Sequence, residues 1–102
     1  MKIAVIGDYE SQEYKQLLER VKILKCEEDV IDLSRHLRLV WHKKNEARFA
    51  DIKNAHQIVI SGDWDNYIDA KRDITYAQTL NKECFVEYGG QFLPVPQYAR
   101  RL

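Results

Sequence analysis

The sequence predicts an α/β fold, namely a small doubly wound parallel sheet with helices on both faces. Short apolar runs, which are typical of strands buried on both faces, alternate along the chain with segments of helical periodicity. The order strand, helix, strand, helix, strand, helix, strand implies right-handed crossovers between parallel strands. Four strands are too few for a barrel of eight, so we expect an open sheet with the strand order 2-1-3-4.

The first half of the chain begins with a strand and a helix. The apolar run Ile3–Ile6 predicts a buried strand that ends at Gly7. Ser11 is a good N-cap residue, and apolar residues spaced by three and four behind it predict a helix over Gln12–Leu24. The helix face consists of Tyr14, Leu17, Leu18 and Val21. A second short strand is expected over residues 30–33.

The middle of the chain is ambiguous over residues 34–44. Leu37, Leu39 and Trp41 alternate as in a strand, but Leu37, Val40 and Trp41 also fit one face of a helix. Both interpretations stay open. A second helix is expected over about 45–55.

The second half of the chain repeats the alternation. Residues 58–60 predict a third strand, and Asp69 predicts the cap of a helix that extends to about Asn81. Residues 84–86 predict the fourth strand. From about residue 89 we expect a tail, broken by Pro94 and Pro96, whose apolar side chains pack on the protein.

Composition limits the classes of function. The chain has 102 residues, a length that predicts one domain over 1–102. Its 16 basic and 16 acidic side chains give no net charge. Such a chain has no overall field to attract a nucleic acid polymer, and no apolar run approaches the roughly 20 residues that span a membrane. Cys26 and Cys84 form no paired motif, so we expect a reduced, cytoplasmic protein.

Two loops of the predicted sheet share a pattern. The first and third strands are both followed by a Gly, an Asp and an aromatic residue; these are Gly7, Asp8 and Tyr9 and then Gly62, Asp63 and Trp64. In the order 2-1-3-4 these strands are neighbours at the topological switch point, where open sheets bind ligands. The pattern therefore predicts a binding pocket, although Gly-Asp is also common in ordinary turns.

Asp73 is the most informative polar residue of the third predicted helix. At about 100° per residue it falls inside the apolar arc of Ala70, Ile74, Ala77 and Leu80. A carboxylate that faces a core needs partners. Two interpretations stay open: a buried Asp paired with an arginine or a backbone turn, or a nucleophile or sugar ligand at the mouth of a pocket.

Other polar clusters are less specific. Asp63, Asp65 and Asp69 are either a solvated acidic loop or part of a site, and no phosphate-binding glycine motif accompanies them. A basic patch, composed of Arg35, Arg38, Lys43 and Lys44, is either a solvated helix face or a contact to a nucleotide phosphate. The histidines lack metal-ligand spacing, and we expect no metal and no cofactor.

Two segments resemble the nucleoside 2-deoxyribosyltransferase-like family. Residues 49–60 (FADIKNAHQIVI) resemble the helix end and strand that lead to that family's active site. Residues 73–82 (DITYAQTLNK) resemble its "Glu-Ile-Gly-x-Ala-x-x-Leu-Gly-Lys" helix and turn. A related bacterial and phage family with a tryptophan loop before an acidic helix matches at Trp64, Asp65, Asp73, Ala77 and Leu80.

The resemblance implies a flavodoxin-like (Rossmann-like) fold and transfer or hydrolysis of the N-glycosidic bond of a nucleoside or nucleotide. Asp73 stands at the position of the family's nucleophilic glutamate, and Asp69 or Asp65 would hold a sugar hydroxyl. Tyr9 and Trp64 would stack on the base. The family also implies a homo-oligomer.

The chain departs from the family pattern at three positions. Aspartate is one methylene shorter than glutamate, and Thr75 and Asn81 replace two glycines, although Asn tolerates the left-handed conformation. Two alternatives to an enzyme therefore stay open. One is a non-catalytic nucleotide-binding or sensor module of the same fold, and the other is an interaction protein that self-associates through its tail.

Overall fold

The computed structural model describes residues 1–95, with Trp41 described by its backbone alone. Within this range a five-stranded sheet is accompanied by three α-helices. The strands are β1 (Ile3–Ile6), β2 (Val30–Asp32), β3 (Gln57–Ser61), β4 (Glu83–Tyr88) and β5 (Gln91–Pro94). The helices are α1 (Gln12–Leu24), α2 (Trp41–Asn54) and α3 (Ile68–Thr79).

The sheet is mostly parallel, as predicted for an α/β fold. β1 pairs in parallel with β2 and β3, and β3 pairs in parallel with β4. β5 pairs antiparallel with β4, so the observed order is 2-1-3-4-5. The observed order differs from the predicted four-stranded one by this additional edge strand.

The fifth strand arises from a tight hairpin. Gly89 and Gly90 have φ values of 56° and 88°, and Tyr88 pairs directly with Gln91 across them. A two-residue hairpin turn with positive φ at both positions is the geometry that glycine permits. The prediction of a broken tail from residue 89 is therefore wrong over Gln91–Pro94. Pro94 is tolerated there because an edge strand can leave one side unpaired, while Pro96 and Tyr98 lie outside the described residues.

Helices pack on both faces of the sheet. α1 packs on one face through Tyr14, Leu17, Leu18 and Val21, and all four are buried as the spacing predicts. Ser11 caps α1, because its hydroxyl accepts a 3.1 Å hydrogen bond from the Tyr14 amide. α2 and α3 pack against each other on the opposite face, and α3 also contacts β1 and β4. No helix in residues 1–95 combines the length and the apolar character needed to cross a bilayer.

Several predicted boundaries need correction. The ambiguous segment forms a 3₁₀ turn at Leu33–His36, and α2 begins at Trp41 rather than at 45. Asp69 is not the cap of α3, because the helix begins at Ile68 and Tyr67 occupies the N-cap position without a side-chain cap bond. α3 ends at Thr79, and Asn81 beyond it has a φ of 59°, the left-handed conformation that Asn tolerates.

Candidate functional site

A cleft lies beyond the carboxyl ends of the parallel strands, where ligands bind in open α/β sheets. Its volume is about 420 Å³, within the range of small-molecule sites. Three segments form its walls: the loop after β1, the approach to and first turn of α2, and the turn into α3. The lining residues are Gly7, Asp8, Tyr9, Glu10, Leu37, Lys44, Asn66, Tyr67, Ile68 and Asp69.

Four of the predicted site residues line this cleft. Gly7, Asp8 and Tyr9 reach it from the loop after β1, and Asp69 reaches it from the first turn of α3. Hydrogen bonds order the loop, since the Asp8 carbonyl accepts from the Ser11 amide at 2.9 Å and from its hydroxyl at 2.8 Å. The structure therefore brings these four predicted residues together around one cleft.

The first residues of the loop after β3 lie outside the walls of the cleft, whereas its last two residues, Asn66 and Tyr67, line it. Gly62, Asp63, Trp64 and Asp65 are not among the lining residues of the cleft. Gly62 lies against β4, where an added Cβ atom would be 2.8 Å from both the Glu87 carbonyl oxygen and the Tyr88 ring. Within the described residues, the Gly-Asp-aromatic segment after β3 therefore does not form part of the walls of this cleft.

The side chains of this loop turn toward the protein or toward solvent. Asp63 accepts a 2.6 Å hydrogen bond from the Ser61 hydroxyl. Trp64 is half-buried against the hydrophobic core, and Asp65 is exposed. Strands β1 and β3 nevertheless come close together at the switch point, because a Cβ atom on Gly7 would be 2.9 Å from Cβ of Ser61.

Asp73 lies beneath the cleft and is fully buried, which confirms that it faces the core. Its Oδ2 atom accepts hydrogen bonds from the Tyr9 hydroxyl at 2.5 Å and from Arg48 Nε at 2.8 Å. Of the two interpretations of this residue, the structure shows the arginine pairing. Asp73 does not line the cleft, whereas Tyr9, which donates a hydrogen bond to it, does.

Opposing effects act on the pKa of the buried Asp73 carboxyl group. Burial raises the pKa of Asp73, and the hydrogen bond from Tyr9 and the charge of Arg48 oppose that increase. Burial, followed by the nearby Asp73 carboxylate, raises the pKa of Tyr9 well above its usual value. Tyr9 therefore stays protonated and donates to Asp73. The other carboxylate oxygen, Oδ1, is buried and has no hydrogen-bond partner among residues 1–95.

Arg48 is the buried charged residue beside the cleft that sequence reasoning missed. Its side chain is only 2% exposed. Nη2 donates a 2.5 Å hydrogen bond to Asn45 Oδ1 and lies 3.9 Å from Asp69 Oδ1, while the guanidinium carbon lies 5.4 Å from the centre of the Tyr9 ring. One signal could have found it: Arg48 lies four residues before buried Ile52, so both project from the same face of α2.

The exposed charges of the cleft are mostly acidic. Asp8, Glu10 and Asp69 carry carboxylates, and Lys44 carries the one ammonium group among the lining residues. Lys44 is therefore the member of the predicted basic patch that reaches the cleft. Burial, with the Asp8 carboxylate as the next cause, raises the pKa of Tyr67. These oxygens can accept hydrogen bonds from hydroxyl groups, and Lys44 can meet an anion.

Comparison with known proteins adds no further identification. No protein-family model, no curated protein and no solved structure matches this chain.

Among the described residues, no group of three or more His, Cys, Asp or Glu side chains is arranged to hold a metal ion. The fold and the cleft therefore define an α/β protein with a candidate small-molecule site at the switch point.

Proposed function

We propose that this protein is a non-catalytic binding or sensor module, with a flavodoxin-like arrangement, for a nucleoside or nucleotide. One observation carries the proposal. The loop after β1 and the turn into α3 form a polar cleft at the switch point, while the carboxylate expected to perform chemistry is fully buried beneath Tyr9. Binding at such a site needs no covalent step.

The cleft supplies groups suited to a sugar and a base. The half-buried carboxylates of Asp8 and Asp69 are acceptors for ribose hydroxyls. Tyr67 is half-buried and offers an aromatic surface in the cleft, and Leu37 and Ile68 add apolar contacts. Lys44 supports a nucleotide phosphate as the alternative to a nucleoside.

Thermal unfolding with a panel of nucleosides and nucleotides tests the binding proposal. A ligand at one hundred times its Kd should stabilise the fold by about 2.7 kcal/mol. Asp69→Asn should weaken the shift, since this carboxylate lines the cleft, whereas Asp65→Asn should leave it unchanged because Asp65 is exposed outside the cleft. A panel that produces no shift contradicts the proposal.

Transfer or hydrolysis of an N-glycosidic bond is the second candidate. The observation in its favour is Asp73 Oδ1, a buried oxygen beneath a cleft residue that has no hydrogen-bond partner within residues 1–95. Tyr9 would have to swing away for Asp73 to reach a ligand. The carboxylate would then bond to the anomeric carbon as the C–N bond breaks, and the departing base would take the electron pair and a proton from solvent.

Chromatography of a deoxynucleoside incubated with the protein and a second free base separates the two candidates. Glycosyl transfer predicts a released or exchanged base, and Asp73→Asn should abolish this product. Asp73→Glu, which restores the length of the family's nucleophile, should retain it. A protein that binds nucleosides but releases no base supports the binding module and contradicts the transferase.

A further inference from the structure

An apolar groove lies on the face of the sheet that carries α1. Its volume is about 340 Å³, and its lining residues come from α1 and from the strands β1, β3, β4 and β5. Among the described residues, it shares no lining residue with the cleft beyond the carboxyl ends of the strands. The groove is therefore a second candidate site, and what it binds does not depend on the proposed function.

Apolar side chains from three neighbouring strands meet in this groove. Val59 of β3 pairs in register with Phe85 of β4, so both project from the same face of the sheet. Phe92 of β5 lines the groove with them, and Val21 and Leu24 line it from α1. Phe85 and Phe92 are only half-buried. Their rings therefore retain apolar surface that a ligand can remove from water.

Two polar side chains line the groove at the amino edge of the sheet. Gln57 is the first residue of β3, and Lys25 follows α1, which returns from the carboxyl end of β1 to the amino end of β2. Neither side chain makes a hydrogen bond or an ion pair with another residue of 1–95. An ammonium group and a side-chain amide both donate hydrogen bonds, and carboxylate oxygens accept them.

The neighbouring charges favour an anion at Lys25. Arg20 of α1 already has a partner, because its Nη2 atom lies 2.5 Å from the carboxylate of Glu87. Glu83 projects from the same face as Phe85, two residues before it, but it is exposed and does not line the groove. Among the described lining residues, Lys25 is therefore the one that carries a charge. It would repel a cationic ligand and attract a carboxylate.

We propose that this groove binds a small monocarboxylic acid with an apolar, medium-length chain. The chain packs on Val59, Phe85 and Phe92, and the carboxylate pairs with Lys25 and accepts a hydrogen bond from Gln57. If each heavy atom takes roughly 30 Å³, the share of a water molecule in the liquid, the groove has room for about ten of them. Octanoate has that size.

Titration of the full chain with octanoate, followed by heteronuclear NMR, tests the position of the site. Saturable shift changes should appear at the amides of Val21, Val59 and Phe92, and not at Asp8 or Tyr67 in the cleft. Octanol should bind more weakly, and octylammonium more weakly still. Absence of saturable changes, or changes confined to the cleft, overturns the proposal. Changes at the groove that follow protein concentration and not octanoate overturn it in favour of a second copy.

Variants of Lys25 test the charge of the ligand. Lys25→Met should raise the Kd for octanoate about two- to fivefold, because an exposed ion pair is weak, and should leave the Kd for octanol unchanged. Lys25→Arg should retain octanoate binding. Lys25→Glu should reverse the preference, so that octylammonium binds more tightly than octanoate.

Lys15→Met is the matched control, because Lys15 is also an exposed lysine of α1 but does not line the groove. It should leave the Kd for octanoate unchanged. Equal octanoate affinities in all the Lys25 variants overturn the proposal, because the apolar chain alone would then account for binding.

Discussion

Asp73 and Arg48 form an ion pair between two charged side chains that are buried inside the protein. Both side chains are at most 2% exposed, and a single carboxylate oxygen serves both Arg48 and Tyr9. Taking two charges out of water is expensive, and mutual attraction offsets that cost only while both partners are present. The pair therefore constrains the packing of α2 against α3 more than it adds to net stability.

A double-mutant cycle measures this coupling. Arg48→Met leaves a buried carboxylate without its cation, and Asp73→Asn leaves a buried guanidinium, so each should lower the free energy of unfolding by about 3–5 kcal/mol. The double variant should lose clearly less than the sum of the two, because neither charge is then stranded. Urea denaturation checks both expectations. Additive losses would show that the two side chains stabilise the fold independently.

Tyr14 makes the folding stability decrease as the pH rises in the alkaline range. Its hydroxyl lies 3.1 Å from both the Val5 carbonyl oxygen and Asp32 Oδ1, and it accepts from the Leu33 amide. Burial, followed by the Asp32 carboxylate, raises its pKa well above 10.0. Above pH 10 the unfolded chain therefore releases this proton while the folded protein retains it, so folding stability falls as pH rises.

Tyr14→Phe should reduce that alkaline loss. The variant should be less stable at pH 8, because the Leu33 amide loses its partner. Above pH 10 its stability should fall more slowly than that of the wild type, by about 1.4 kcal/mol per pH unit for this one group. Urea denaturation at pH 8, 10 and 11 gives the comparison. Parallel pH curves for the two proteins would contradict the raised pKa.

At the scale of elements, glycine allows the loop after β3 to lie against β4. Gly62 has no room for a side chain, because a Cβ atom would be 2.8 Å from a backbone oxygen of β4. The repeated Gly-Asp pattern predicted that this loop would bind a ligand together with the loop after β1. Its glycine instead allows close packing against β4, and Asp63 and Trp64 are not among the residues that line the cleft.

Gly62→Ala should destabilise the protein by about 1–3 kcal/mol, because β4 must shift to admit the methyl group. Tyr88→Ala in the same chain removes the ring clash but leaves the Glu87 carbonyl clash, so it should rescue only part of the loss. Thermal unfolding of both single variants and the double variant measures this. Full rescue would mean that the ring alone, and not the backbone, fills the space.

The β4–β5 hairpin was not predicted, although the sequence contains a local signal for its turn. Gly89 and Gly90 separate two apolar segments, and a Gly-Gly pair in that setting is typical of a two-residue turn. The two prolines nearby favoured an irregular tail instead. The hairpin places β5 antiparallel to β4 at the edge of an otherwise parallel sheet.

At the scale of the whole molecule, the reactivity of the two cysteine thiols measures the cooperative opening of the fold. Cys26 is exposed in a turn, whereas Cys84 is buried in β4 between β3 and β5. Burial raises the pKa of the Cys84 thiol to about 11, so thiolate is scarce there at neutral pH. Reaction at Cys84 therefore requires the sheet to open.

Thiol labelling at pH 8 should modify Cys26 quickly and Cys84 only as fast as the protein unfolds. Added urea should accelerate the slow phase in parallel with the fall in unfolding free energy, while leaving the fast phase unchanged. Cys26→Ser should remove the fast phase alone. Rapid labelling of both thiols in the native protein would show that β4 opens locally without global unfolding.

Sequence alone determined the features that depend on local periodicity: the alternation of strands and helices, the buried face of α1 and the inward orientation of Asp73. These follow from where apolar side chains recur along the chain. Tertiary structure decided which groups meet, including Arg48 against Asp73 across 25 positions of sequence, the walls of the cleft and the direction of the loop after Gly62. These contacts depend on how the elements pack in space. The spacing of residues along one strand or helix does not specify which residues of another element they will contact.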